Sequence, residues 1–152
     1  MDVSIELLKK LRQETAAGIA DCRIALTDAK GDYAAAKKLI VARGLEKASK
    51  KEGKETSQGI IASYVHQTGK VGVLVELRCE TDFVARTDEF KNLAHEITLQ
   101  VTSMNPKNVA ELLKSQYIRD PKITIADLIK LTVAKVGENI TVAKFTRMQL
   151  GE

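Results

Sequence analysis

Val71-Gly72-Val73-Leu74-Val75-Glu76-Leu77-Arg78-Cys79, running directly into Glu80-Thr81-Asp82-Phe83-Val84-Ala85-Arg86, decides how the chain is read. Odd positions 71 to 79 are all apolar, while even positions carry Gly72, Leu74, Glu76 and Arg78. A period of two over nine residues predicts a strand with one face that must be covered. The even face is mixed, and Leu74 leaves part of it available to a second surface. Behind the strand the period changes to that of a helix. The junction carries an acidic-aromatic pair, Asp82-Phe83, between polar and small residues, and no side chain there is an obvious catalyst. Continuing the odd face puts Phe83 inward, and stepping back seven from Phe90 reaches it too; exposure stays open on periodicity. Asp82 has a plain reading as a helix-start charge favoured by the dipole.

Upstream, Ile60 to Gln67 is a second strand, joined to the first through Thr68-Gly69-Lys70, a hairpin-type turn. Downstream, Phe90, Leu93, Ala94, Ile97, Val101 and Met104 form a helical stripe, with Thr87 as its N-cap and Asn105-Pro106 ending it. Val109 to Leu113 reads as another helical turn, and Ser115 to Lys122 as a loop. Thr124-Ile125-Ala126-Asp127 has the form of a capping box with Asp in place of Glu. The helix it opens runs to Gly137, and Ile140 to Leu150, rich in β-branched residues, reads as a closing strand. A hairpin, then helices, then one strand argues for an α+β domain with a small antiparallel sheet.

Residues 1–45 have a different texture. Leu7, Leu8 and Leu11 share one helical face; Cys22, Ala25, Leu26 and Ala29 share a second; Tyr33, Ala36, Leu39 and Ile40 share a third. Gly31 suits the left-handed position after the second helix, Asp32 caps the third, and Gly44 is expected to end it. Ile19, at the Gly18 turn and off the main stripe, is a candidate exposed contact. Residues 46–59 alternate Lys47, Lys50, Lys51 and Lys54 with Glu46, Glu52 and Glu55, which reads as a charged linker.

The 152 residues, 44% hydrophobic and 29% charged, suit one medium domain or a small one with a mini-domain, and are wrong for a disordered chain. No apolar run is long enough to span a bilayer, and Met1-Asp2-Val3-Ser4 does not open a signal peptide. Two cysteines, Cys22 and Cys79, are too few and too far apart for a secreted scaffold, so the expected location is cytoplasmic. The net charge of +4 is interspersed, with three Phe, three Tyr and no Trp, so nucleic acid is not expected as a main partner. No phosphate-cradling glycine motif, zinc-ligand spacing or nucleophile elbow occurs, and His66 and His95 have no ligand-like neighbours. The expectation is a protein that is not an enzyme and needs neither cofactor nor metal.

Three segments, in order, resemble one family. Leu11-Arg12 through Thr15, Gly18 and Asp21-Cys22-Arg23 is similar to its N-terminal signature, and Glu80-Thr81-Asp82-Phe83-Val84-Ala85-Arg86 to its central one. Ala134-Lys135-Val136-Gly137-Glu138-Asn139-Ile140 is similar to its lead into a core strand. The family is translation elongation factor Ts, the nucleotide-exchange factor for the GTPase elongation factor Tu. The resemblance implies an N-terminal three-helix ubiquitin-associated-like domain (1–45) and a core, dimerisation-type domain (60–152) whose three-stranded antiparallel sheet packs against helices. It also implies that Asp82 and Phe83, flanked by Thr81 and Val84, wedge into the GTPase near its magnesium site. Arg12, Ile19, Ala20 and Arg23 would make the N-terminal contact with elongation factor Tu, and Val136 and Gly137 a second contact beside the wedge. The match is to a short form with a single core subdomain; Tyr117-Ile118-Arg119-Asp120-Pro121 is similar to a piece of the second subdomain of longer members. A homodimer through the mixed sheet face around Leu74 is therefore expected. Two other readings stand beside exchange: a non-exchanging protein-interaction adaptor, and an RNA-binding translation protein using the lysine-rich linker.

Overall fold

Local signals open and close the helices. In the computed structural model, which describes residues 2–152, α1 (Ile5–Thr15) is capped by Ser4 and turned off by left-handed Ala16. α2 (Ile19–Asp28) ends in the Lys30-Gly31 turn, where Gly31 has φ 83° and its N–H donates to Leu26 O at 2.9 Å. The Asp32 side chain then caps α3 (Tyr33–Lys51). Leu11, Cys22, Ala25, Leu26, Ala36 and Ile40 bury together as the core of these three helices.

Gly44 does not end α3. The helix continues seven residues further, so the charged stretch expected as a linker is helical as far as Lys51, and the loop begins only at Glu52. A glycine inside a helix costs about 1 kcal/mol relative to alanine. Here it allows close packing: a Cβ at residue 44 would sit 3.1 Å from the Ala134 Cβ. The second half of α3 lies along a later helix and buries Ala48 in the main core. The lysines around Ala48 are the solvated side of an amphipathic helix.

The main core forms under one sheet. β1 (Gln58–Val65), β2 (Val71–Cys79) and β5 (Ile140–Gln149) pair antiparallel in the order β1-β2-β5. Between β2 and β5 the chain passes through α4 (Asp82–Ala85), α5 (Asp88–Met104), α6 (Val109–Lys114), β3 (Gln116–Tyr117), β4 (Asp120–Thr124) and α7 (Ile125–Val136). The odd face of β2 (Val73, Val75, Leu77, Cys79) is buried against Phe90, Leu93, Ala94, Ile97 and Val101 of α5 and Ile125, Ile129 and Val133 of α7. Met104, expected on the α5 stripe, is exposed in its last turn. On β5 the register shifts opposite Glu76/Leu77, leaving Ala143 without a partner. Such a bulge re-phases the strand. Ile140 and Val142 face inward before it, and Phe145 and Arg147 after it.

The opposite sheet face is uncovered. Ile61, Val65, Leu74 and Met148 are all exposed there, brought together by the Ser63–Leu74, Val65–Gly72 and Gly72–Met148 pairings. Residues 115–122, expected as a loop, contain β3 and the start of β4. Their hairpin is held from below by buried Gln100, whose Nε2 donates to Gln116 O (2.7 Å) and whose Oε1 accepts from the Ile118 N–H (3.0 Å). Thr124 and Asp127 form the capping box of α7, and Gly137, at φ 77°, ends it.

Candidate functional site: a braced turn that carries an exposed phenylalanine

The turn after β2 is built from two caps in succession. β2 ends at buried Cys79, whose Sγ–H donates to Thr81 O at 3.1 Å. Burial first, then the nearby Glu138 carboxylate, pushes the Cys79 thiol above its usual range. Thr81 is extended, and its Oγ1 accepts from the Val84 N–H at 3.4 Å, opening the single turn of α4. Thr87 closes that turn by donating to Val84 O (2.7 Å) and opens α5 by accepting from the Phe90 N–H (3.3 Å).

This sequence of caps decides where Phe83 points. One helical turn with Val84 and Ala85 buried must turn residues 82 and 83 the other way, since neighbours lie about 100° apart. Strand phase stops at Thr81 and helix phase restarts at Thr87, so neither period carries through residue 83. Phe83 is 84% exposed, the most exposed of the large apolar side chains among the described residues. Asp82, also exposed, pairs with Arg86 one turn along the same surface; such solvated pairs contribute little to stability.

The turn is gripped from outside by the segment between α7 and β5. Glu138 accepts from the Thr81 N–H on Oε1 (2.9 Å) and from the Thr81 hydroxyl on Oε2 (2.7 Å). In return, Glu80 Oε1 accepts from the Asn139 N–H (2.8 Å), and the Asn139 amide donates to Lys54 O (2.8 Å). Glu80, Glu138 and Asn139 lie inside the segments singled out in the sequence, yet nothing in their spacing marks them as partners 57 to 59 residues apart.

The other expected contact residues lie on two further surfaces. Arg12, Ile19, Ala20 and Arg23 are all exposed, with Ile19 at 47%; Ile19 and Arg23, four apart, share a face of α2. Gly137 is exposed and Val136 half-buried. Both line a cleft of about 450 Å³ between α7 and the N-terminal helices, whose far wall includes Gly18 and Asp21 beside Ile19 and Ala20. The segment at the end of α7 thus adjoins both the turn that carries Phe83 and the cleft beside Ile19 and Ala20. Among the described residues, no group of three or more His, Cys, Asp or Glu side chains could hold a metal ion, and no helix is long and apolar enough to cross a membrane.

The turn thus holds an aromatic side chain in solvent on a doubly capped, braced backbone. The family model described as Elongation factor TS matches residues 80–152. The elongation factor Ts of Fervidobacterium nodosum is 38% identical, and that of Coprothermobacter proteolyticus 41% identical, each over 197 aligned positions covering 100% of both chains. That of Thermotoga maritima is 39% identical over 195 positions, covering 100% of this chain and 98% of the relative. The chain belongs to the elongation factor Ts family. With 197 aligned positions against 152 residues, at least 45 positions of the first two alignments have no counterpart in this chain.

Proposed function

We propose that this protein is a guanine-nucleotide exchange factor for elongation factor Tu in translation elongation, acting in the cytoplasm and making no covalent change to its partner. The observation that carries this reading is Phe83, 84% exposed on a turn braced by Glu138. In the proposed complex Asp82 and Phe83, with Thr81 and Val84 behind them, wedge into the GTPase near its magnesium site. Burying the ring in an apolar slot there stabilises the complex by about 2–3 kcal/mol. That energy displaces the elements that hold magnesium and the phosphates of GDP. The rest is linkage: a factor that binds nucleotide-free elongation factor Tu more tightly than the GDP form must weaken GDP by the same ratio, and GTP expels the factor.

The N-terminal helices, read as a ubiquitin-associated-like unit over 1–45, add a contact through Arg12, Ile19, Ala20 and Arg23. Val136 and Gly137 add another beside the wedge. A homodimer through the open sheet face completes the proposal, supported by the exposed Ile61, Val65, Leu74 and Met148 on a sheet with no helix over that side. The test of exchange is the release of a fluorescent GDP from elongation factor Tu with and without this protein. Acceleration is expected; an unchanged release rate overturns the reading. Light scattering at micromolar concentration tests the dimer, and a strictly monomeric mass removes it.

A further inference from the structure

We propose that Glu138 is a positioning residue for the Phe83 wedge: its carboxylate, clamped on the backbone and hydroxyl of Thr81, sets the direction in which the ring is presented. This rests on the wedge reading of Phe83 and adds to it a group that does not itself meet the partner.

The argument begins with what Phe83 lacks. At 84% exposure its ring has almost no packing of its own in the free protein, so its direction is set by backbone alone. That backbone is a four-residue helix, too short to be stable by itself. Its first turn depends on Thr81 Oγ1 accepting from the Val84 N–H. A hydroxyl has one proton to donate, and here it goes to Glu138 Oε2, which leaves a lone pair free for Val84. The second oxygen of Glu138 takes the Thr81 N–H, so the residue is held from backbone and side chain at once. Bonds to an ionised acceptor are the stronger kind.

Glu138 is itself fixed from both sides. Gly137 closes α7, with its N–H on Val133 O at 2.8 Å, and Asn139 is buried and tied to Glu80 and Lys54. Next, Ile140 pairs with Cys79 at the end of the sheet. Two reciprocal straps, Glu80 to Asn139 and Glu138 to Thr81, therefore join the base of the wedge to the end of α7. A ring held in its bound direction before contact avoids an ordering cost on binding. Loosening Thr81 would let the ring sample directions that miss its slot.

The test is a double-mutant cycle on GDP release from elongation factor Tu, using full-length wild type, Glu138→Ala, Phe83→Ala and the double variant. Glu138→Ala is expected to lower the acceleration about tenfold, less than the roughly 10²-fold that a 1 Å misplacement can cost. In the Phe83→Ala background the same change should cost under about twofold, because there is no ring left to aim. Amide hydrogen exchange over 81–86 should rise in Glu138→Ala by more than the accompanying loss of global stability, which the two lost bonds set at a few degrees of Tm. Equal fold-losses in both backgrounds, or acceleration unchanged in a folded Glu138→Ala, overturn the proposal. If Glu138→Ala does not fold, Glu138→Gln replaces it in the same cycle: its one remaining acceptor oxygen can hold either the Thr81 N–H or the Thr81 hydroxyl but not both, and a smaller loss, again confined to the background that keeps Phe83, is expected. Should Phe83→Ala alone leave the acceleration intact, the wedge reading fails first, which is a different result from additivity.

Discussion

Replacing Phe83 with alanine separates folding from binding more cleanly than any other substitution in this chain. Only about a sixth of the ring is covered in the free protein, since 84% of the residue is exposed. Full burial of a phenylalanine side chain is worth about 2–3 kcal/mol, so the folded state loses roughly 0.3–0.5 kcal/mol on truncation. In a protein of this size that lowers the Tm by about 1–2 °C. The remaining ~2 kcal/mol or more is realised only when the ring enters a partner, and at about 1.4 kcal/mol per tenfold it corresponds to a loss of roughly 30-fold or more. The expected outcome is a variant with near wild-type melting and exchange acceleration reduced by at least that factor. Stopped-flow release of fluorescent GDP and differential scanning calorimetry on the same preparations read the two quantities. A Tm drop of more than about 4 °C would mean that the ring supports its own domain. An unchanged release rate would mean that it never meets the GTPase.

Two further outcomes follow from the framework that carries the turn. Gly59→Ala should destabilise by roughly 2–5 kcal/mol, summing backbone strain and overpacking, because Gly59 has φ 153° and an added Cβ would collide with the Leu77 carbonyl oxygen; thermal melts check it. The Tyr117 hydroxyl, buried and donating to Glu96 Oε2 at 2.8 Å, has its pKa pushed up from 10.0 to about 12, by burial first and Glu96 second. Below pH 10 the phenol keeps its proton folded and unfolded, and its contribution is complete; between pH 10 and about 12 the unfolded chain releases the proton first, so stability falls as pH rises. Melting curves across that window should decline less steeply in Tyr117→Phe than in wild type, and parallel curves would contradict the assignment.

The parts of the fold legible in the sequence are those whose information is local. The β2 alternation, the α5 stripe from Phe90 to Val101, and the capping residues Asp32, Thr87 and Thr124 each report their element within a few positions. What was not legible depends on residues distant in the chain. Gly44 looks like a helix end until α7 lies against it, and only then does Ala134 explain why a residue without a side chain sits there. The β3–β4 hairpin has a two-residue first strand, and its order comes from buried Gln100, which looks like an ordinary polar position on α5. The same holds at the site. Both periods could be extended through Phe83, and each would have buried it. The outcome is set by the two threonine caps that interrupt them, Thr81 and Thr87, of which the sequence marks only Thr87 as a cap.

The continuity of α3 changes what the N-terminal helices can contribute. Were residues 46–51 a flexible tether, the patch of Arg12, Ile19, Ala20 and Arg23 would search for its contact independently of the wedge, with an effective concentration set by tether length. Instead one helix carries Ala36 and Ile40 into the small core and Ala48 into the large one. It packs along α7 at Gly44 and Ala134, and its end pairs through Glu52 with Lys130 at 3.7 Å. Helix α7 in turn ends at Gly137, one residue before the carboxylate that holds Thr81. The proposed N-terminal patch, the Val136-Gly137 contact and the wedge therefore share a single frame through α3 and α7. If the three proposed patches meet one partner, such a frame would let the second and third contacts form without a further search once the first is made, lowering the ordering cost of the encounter. The helical reading of a lysine-rich stretch is thus more than a boundary correction: it places the three proposed contact patches on one continuous frame.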